Sequence, residues 1–334
     1  MSDRDYDFGL EPGETFEPEE LDDEIELDQP HVMTALGPVD PGSLGVTLPH
    51  EHVIVKPRDV ALVDPDMILD SVDAAFAEME DVYYAGARTV VDMTSADMGR
   101  DPVALRWVAQ RAPVHLVLAT GHHQHRYAAP WVSDRSAAEI AAVEIDEIRN
   151  GIEGTFMRAG VIAAGTSRDQ ITGVERRLLQ AAAIAHQETG TPISTHTDQG
   201  TMALEQLSIL REAGVTPERV IVGHLDFAFD EGYLRQVLDT GAFVAFDRVS
   251  NQEYVSDADR AAMLRSLAEA GYLDQLLVSG DLRRKTQWLA YGGKPGLRYL
   301  VESFPVILME AGFSAPEVRQ LLVDNPQRAL TTLA

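Results

Sequence analysis

Short apolar runs alternate along this chain with longer stretches in which apolar residues recur every three or four positions. The short runs are typical of buried strands, and the longer spacing is typical of helices with one buried face. The predicted strands are 44–52, 88–93, 114–120, 159–165, 192–197, 219–224, 242–247 and 275–281. The predicted helices lie near 64–85, 102–111, 136–150, 172–188, 201–213, 231–239, 257–270, 296–312 and 315–323. Strands that each precede a helix favour parallel pairing through right-handed crossovers, and eight such units predict an α/β fold, the (β/α)8 TIM barrel.

The first 31 residues differ from the rest in composition. They carry 13 acidic residues and one arginine and contain few large apolar side chains. Such a segment cannot bury enough surface to offset the entropy lost on ordering. We therefore expect residues 1–31 to form a disordered or loosely docked acidic extension, followed by one barrel domain at 32–334. Residues 21–27 could dock on the barrel or on a neighbouring subunit.

The charge of the chain limits its partners. The 334 residues carry a net charge of −27, which argues against binding to nucleic acid or to an anionic membrane. No apolar run approaches the length of a membrane span and the N-terminus does not resemble a signal peptide, so a cytoplasmic location is expected. The chain has no cysteine, so a metal ion would have to bind nitrogen and oxygen ligands.

Four histidines and one aspartate stand at the ends of predicted strands. His50 and His52 flank Glu51 at the end of the first strand, and their two-residue spacing places both imidazoles on one face. The other three are His196, His224 and Asp281, after the fifth, sixth and eighth strands. In this fold all five would meet at the mouth where active sites are found. A single histidine there is more often a structural residue, but the set indicates a metal site for Zn²⁺, Mn²⁺ or Fe²⁺.

Several residues near the same mouth could contact a substrate. His123 and Tyr127 follow the third strand, Arg248 follows the seventh, and Arg284 follows the eighth within a basic segment, 283–285. Arginine binds phosphate and carboxylate bidentately, so a substrate with an anionic group is expected. Solvation of the histidine loop and local salt bridges for the arginines are the alternatives that the sequence leaves open.

The motifs together resemble the phosphotriesterase-like family of the amidohydrolase superfamily. The resemblance covers residues 32–334 and rests on GVTLPHEH (45–52), VD (91–92), GRD (99–101), GIEGT (151–155), RAGVI (158–162), THT (195–197), GH (223–224), SGD (279–281) and NPQR (325–328). It implies a binuclear centre, usually zinc, with His50, His52 and Asp281 on one metal and His196 and His224 on the other. Arg284 resembles the phosphate-contacting arginine of the sugar-phosphate lactonases. The resemblance also implies a homodimer.

One member of the family pattern is missing. A carboxylated lysine, or a glutamate in some members, bridges the two metals from the end of the fourth strand, and that position corresponds to Ala163. A single metal could remain on His50, His52, His196 and Asp281, with His224 orienting water or substrate. Two metals could persist around a hydroxide or a small anion. Alternatively, the protein has lost catalysis.

These observations predict a metal-dependent hydrolase of a lactone, an ester (including a phosphoester) or an amide. Metal-bound hydroxide would attack, and Asp281 would transfer the proton to the leaving group. The alternative is a non-catalytic barrel with a binding or scaffold role, because the bridging ligand is absent.

Overall fold

The computed structural model describes residues 28–57, 64–251, 253 and 255–333. Most of the predicted acidic extension, including the docking segment 21–27, therefore lies outside the described residues. Among the described residues, the strands are β1 (Val32–Thr34), β2 (Gly37–Val39), β3 (Val46–Glu51), β4 (Ala87–Asp92), β5 (His115–Gly121), β6 (Val161–Thr166), β7 (Ile193–Thr197), β8 (Val220–Gly223), β9 (Phe243–Phe246) and β10 (Leu276–Val278). Strands β3 to β10 pair in parallel and in chain order. The predicted barrel is confirmed.

The α-helices lie mainly between successive strands. They are α1 (Val72–Tyr84), α2 (Pro102–Ala109), α3 (His125–Val132), α4 (Ala137–Arg149), α5 (Gly173–Thr189), α6 (Ala203–Glu212), α7 (Glu231–Leu238), α8 (Asp257–Leu267), α9 (Tyr299–Glu302), α10 (Phe304–Glu310), α11 (Ala315–Arg319) and α12 (Asn325–Leu330). Side-chain caps explain several boundaries: Thr172 caps α5 and Ser136 caps α4, each in a capping box with a glutamate three residues on. No helix in the described part of the chain is long and apolar enough to cross a membrane.

Alternation along the strands divides the apolar residues into two layers. In β6, Val161 and Ala163 belong to a cluster that fills the barrel interior, whereas Ile162 and Ala164 belong to the cluster between strands and helices. This is the two-residue period expected of strands with both faces buried. The interior is a packed core, so the space available for ligands lies at the strand ends.

The first and last barrel strands are joined by hydrogen bonds of the Glu51 and Ser279 side chains and by one backbone bond. The described ladder runs from β3 to β10 without pairing these two strands. The Glu51 carboxylate accepts hydrogen bonds from the amides of Gly280 (2.7 Å) and Leu282 (2.8 Å) and from the hydroxyl of Ser279 (2.8 Å). Ser279 Oγ also accepts from the amide of His50 (3.0 Å), and the amide of Asp281 donates to the His50 carbonyl (3.1 Å). Glu51 thus closes the barrel while its two histidine neighbours face the mouth.

The structure differs from the predicted elements at several places. The predicted helix 64–85 begins only at Val72, where Ser71 caps α1, and Pro65–Met67 forms a separate 3-10 turn. The hairpin of β1 and β2, and the helices α3 and α12, were not predicted. His31, which the sequence assigns to the extension, is buried and exchanges backbone hydrogen bonds with Thr332 (3.2 and 2.7 Å). The packed structure therefore includes His31.

Candidate metal centre

The five predicted ligands converge at the carboxyl ends of the barrel strands. His50 lies in β3, His52 just beyond it and His196 in β7, while His224 and Asp281 follow β8 and β10. They line one pocket, together with residues that include Ser95, His123, Ala163, Ser194 and Arg283. His224 (φ 63°) and Asp281 (φ 45°) adopt left-handed backbone conformations, which cost energy for residues other than glycine. Such strain is frequent at functional sites.

His52 and Asp281 approach each other in a way that suits a cation. The Thr94 hydroxyl lies 2.8 Å from His52 Nδ1 and can accept its hydrogen in the tautomer that is protonated at Nδ1. This tautomer places the lone pair of His52 on Nε2, which lies 3.2 Å from Asp281 Oδ1. Two acceptors facing each other leave room for a shared positive ion. A metal-ligating histidine usually donates its other ring N–H to a fixed acceptor, and the Thr94 oxygen can fill that role for His52.

Asp247 organises the other histidines. Its Oδ1 accepts hydrogen bonds from the ring Nδ1 (2.7 Å) and from the amide (2.9 Å) of His224, while its Oδ2 lies 3.3 Å from His50 Nδ1. The ring of His196 is 4.5 Å from that of His224 and 4.2 Å from that of His123, measured between centroids. The sequence did not single out Asp247, although it follows a strand as Asp281 does.

Burial keeps four imidazoles of this pocket neutral at neutral pH. It lowers the pKa of His50, His123 and His224 to about 3 each, and that of His196 well below its usual value. Burial disfavours the charged form of Asp281, but the guanidinium groups of Arg283 and Arg248 outweigh it and hold the pKa of this carboxyl well below its usual range. Neutral imidazoles and an ionised carboxylate are the forms that bind metal ions.

Two observations show that this donor set fits a divalent metal. His50, His52 and Asp281 each offer a ligand atom, and these atoms lie within 4.8 Å of one another; the same holds for His50, His224 and Asp247. His196 Nε2 and His50 Nδ1 are buried without a hydrogen-bond partner in the described part of the chain. Unpaired buried nitrogen atoms are costly unless a ligand satisfies them.

Ala163 lies at the pocket side of β6, where it pairs with Gly121 and Ser194 of the neighbouring strands. It is 8% exposed and belongs to the interior cluster. Of the described residues that line the pocket, Asp281 alone carries a carboxylate. Ser194 Oγ is buried beside Ala163 and has no hydrogen-bond partner among the described residues. No anionic side chain therefore takes the place of a bridging ligand within this lining.

The predicted substrate residues differ in their contacts and in their position relative to the pocket. His123 lines the pocket, and the ring of Tyr127 lies 5.1 Å from it. Arg248 forms a close ion pair with Asp281. Arg284 pairs with Asp64 (2.6 Å) and Asp66 (3.5 Å), and its side chain is 38% exposed. The structure does not bring Arg284 together with the pocket residues. Arg283, which the sequence grouped with Arg284 but did not select, lines the pocket.

Comparisons with known proteins agree with this geometry. The model of the Phosphotriesterase family matches residues 30–330. A phosphotriesterase homology protein of Escherichia coli is 38% identical over 285 residues, covering 85% of this chain and 97% of that protein. The crystal structure of a phosphotriesterase homology protein from Escherichia coli, complexed with phosphate in the active site, has a TM-score of 0.83 at 37% identity, and the match covers 86% of this chain and 99% of that one.

Two further similar proteins are named as lactonases. The crystal structure of a lactonase from Listeria monocytogenes has a TM-score of 0.87 at 32% identity, covering 91% of this chain and all of that one. A phospho-furanose lactonase of Mycoplasmopsis synoviae is 29% identical over 319 residues, covering 89% of this chain and 90% of that protein. With the family model spanning nearly the whole barrel, these similarities confirm the family inferred from the motifs. The chain belongs to the phosphotriesterase family of metal-dependent hydrolases.

Proposed function

We propose that this protein is a single-metal hydrolase that opens a lactone, or cleaves a related ester or amide, in a small substrate with an anionic group. The observation that carries the proposal is the convergence of His50, His52 and Asp281, whose ligand atoms lie within 4.8 Å of one another at the barrel mouth. The similar lactonases support the lactone as the preferred substrate class.

The proposal of one metal rests on charge. Two divalent ions would bring four positive charges to a pocket in which Asp281 is the lining carboxylate of the described residues. Ala163 supplies no anion, and concentrated positive charge in a buried site is unfavourable unless it is neutralised. One ion bound by His50, His52, His196 and Asp281 needs less negative charge to neutralise it. Zinc suits this set of imidazole and carboxylate ligands, as do manganese and iron.

An ion held by these ligands would lower the pKa of a water molecule that it binds from about 15.7 to near 7 and would polarise the carbonyl or phosphoryl oxygen of the substrate. Asp281 accepts the proton of the attacking water and passes it to the leaving group. Its Oδ2 is held by Arg248, which favours the ionised form that a proton acceptor requires.

The remaining side chains hold the reactants in place. Asp247 fixes His224 through a 2.7 Å hydrogen bond to Nδ1, so that the other ring nitrogen can orient water or substrate. His123 and Tyr127 pack against each other at the pocket and contact the substrate. The protein works as a cytoplasmic homodimer in this proposal, as its family resemblance suggests.

Steady-state hydrolysis of lactones by zinc-supplemented protein tests the proposal, with Asp281→Asn as the decisive variant. We expect the variant to lose at least about 100-fold in kcat, which is the usual contribution of a positioned proton acceptor. Its circular dichroism spectrum should match that of the original protein. Turnover within threefold of the original rate would rule out the role proposed for Asp281.

A second candidate function is a non-catalytic binding protein, which Ala163 favours because this residue removes the bridging ligand. The metal content of the protein distinguishes the hydrolase from the non-catalytic binding protein. Less than about 0.2 equivalents of metal after supplementation would favour the binding role, because a functional centre retains its ion at micromolar protein.

A further inference from the structure

Three cations follow Asp281 in sequence, and two of them are directed away from the pocket. Lys285 Nζ lies 3.2 Å from Asp70, and Arg284 is paired with Asp64 at 2.6 Å. Their charges are compensated by carboxylates of the segment between β3 and α1. Arg283 differs from both, because its side chain lines the pocket together with His123 and Asp281.

The guanidinium of Arg283 has unused donors. Its Nε lies 3.8 Å from Asp281 Oδ2, which is an ion-pair distance and too long for a hydrogen bond. Arg248 holds the same carboxylate oxygen more closely. Within the described ranges, the Arg283 side chain donates no hydrogen bond and has no other ion-pair partner. Its side chain is 24% exposed, so it is largely withdrawn from bulk water.

An arginine in this position suits an oxyanion. A guanidinium presents parallel N–H groups that match two oxygens of a phosphate or a carboxylate. Asp281 is already paired with Arg248 and assigned to the metal. A ligand anion is therefore the missing partner of Arg283.

We propose that Arg283 binds the anionic group of the substrate and makes the enzyme selective for anionic lactones over neutral ones. This inference rests on the proposed function, because it concerns the same pocket. A phosphate or a carboxylate offers the required pair of oxygens. Because Arg283 and Asp281 line the same pocket, the anionic group belongs in this proposal to the small molecule whose bond is cleaved.

The test compares Arg283→Ala with Arg284→Ala, which removes the same side chain one residue further on. Kinetics are measured on three γ-lactones that share a ring and carry a phosphate, a carboxylate or an uncharged hydroxymethyl group. We expect Arg283→Ala to raise KM for one or both anionic lactones by about 10- to 100-fold, as for loss of a charge-assisted hydrogen bond. Its KM for the neutral lactone should stay within threefold, and Arg284→Ala should stay within threefold on all three.

Binding of inorganic phosphate, measured by calorimetry on the metal-supplemented protein, provides a readout that does not depend on turnover. Arg283→Ala should weaken phosphate binding at least tenfold, whereas Arg284→Ala should not. Equal losses on charged and neutral lactones, or a selective loss in Arg284→Ala, would overturn the role of Arg283. If no lactone is hydrolysed, the proposed function fails, and phosphate binding alone then decides for or against Arg283.

Discussion

Glu144 gives a stability prediction that can be worked out from the structure. This residue lies on α4, is 2% exposed, and has one carboxylate oxygen without a hydrogen-bond partner in the described part of the chain. Burial, followed by the neighbouring charge of Glu147, raises its pKa from 4.5 to about 8. The folded protein therefore holds a proton on Glu144 that the unfolded chain releases above about pH 4.5.

The sign of the effect follows from that difference in pKa. Glu144 contributes most to the free energy of unfolding below about pH 4.5. This contribution is lost as the pH rises to about 8. A shift of this size corresponds to at most about 5 kcal/mol, since each pKa unit is worth about 1.4 kcal/mol. Glu144→Gln mimics the protonated carboxyl and does not titrate. The variant should match the original protein near pH 4.5 and become more stable by about 2–5 kcal/mol at pH 8.

Urea unfolding from pH 4.5 to pH 8.5, followed by circular dichroism, measures this difference. Glu188→Gln is the matched control, because Glu188 lies on α5 with a side chain that is 58% exposed and forms a surface ion pair with Arg149. The free energy of unfolding of the control should lie within about 0.5 kcal/mol of that of the original protein at every pH. A difference in unfolding free energy between Glu144→Gln and the original protein that does not change with pH would refute the proposed titration of Glu144.

Three further predictions concern the closure of the barrel and the metal centre. Ser279→Ala leaves the His50 amide without its acceptor and should lower the free energy of unfolding by about 1–3 kcal/mol in metal-free protein. An unchanged denaturation midpoint would contradict the role given to Ser279 in joining the first and last barrel strands. Thr94→Val removes the hydroxyl that orients His52 and should weaken zinc binding by about 10- to 100-fold in competition with a chelator, whereas unchanged affinity would show that His52 is oriented without it. Ala163→Lys should raise the zinc content from one to two equivalents by supplying the bridge, and a content that stays at one would contradict the reason given for the single metal.

Much of the fold could be predicted because strand and helix periods differ. The short apolar runs at 45–49 and 159–164 identify barrel strands without any tertiary information. The hairpin of β1 and β2 could not be found in this way, because strands of three residues are too short to show a period. Helix α3 was missed because Pro130 lies within it and three histidines suggested a loop.

The candidate site could be predicted where a strand end fixes the position of a residue. This rule placed His196, His224 and Asp281 at the mouth, and applied to the seventh strand it would also have identified Asp247. The rule does not extend into the loops. Arg283 and Arg284 are adjacent and identical in type, and only the contacts of Asp64 and Asp66 determine which of them faces outwards.

We propose that this barrel holds one divalent metal ion, with Ala163 at the position that the motif resemblance assigns to a bridging ligand. The most direct test is elemental analysis of metal identity and stoichiometry in protein supplemented with zinc and then freed of excess ion. We predict one equivalent per chain, and loss of that equivalent in His52→Ala. Two equivalents would contradict the single-metal centre, and less than about 0.2 equivalents would contradict a metal-dependent mechanism altogether.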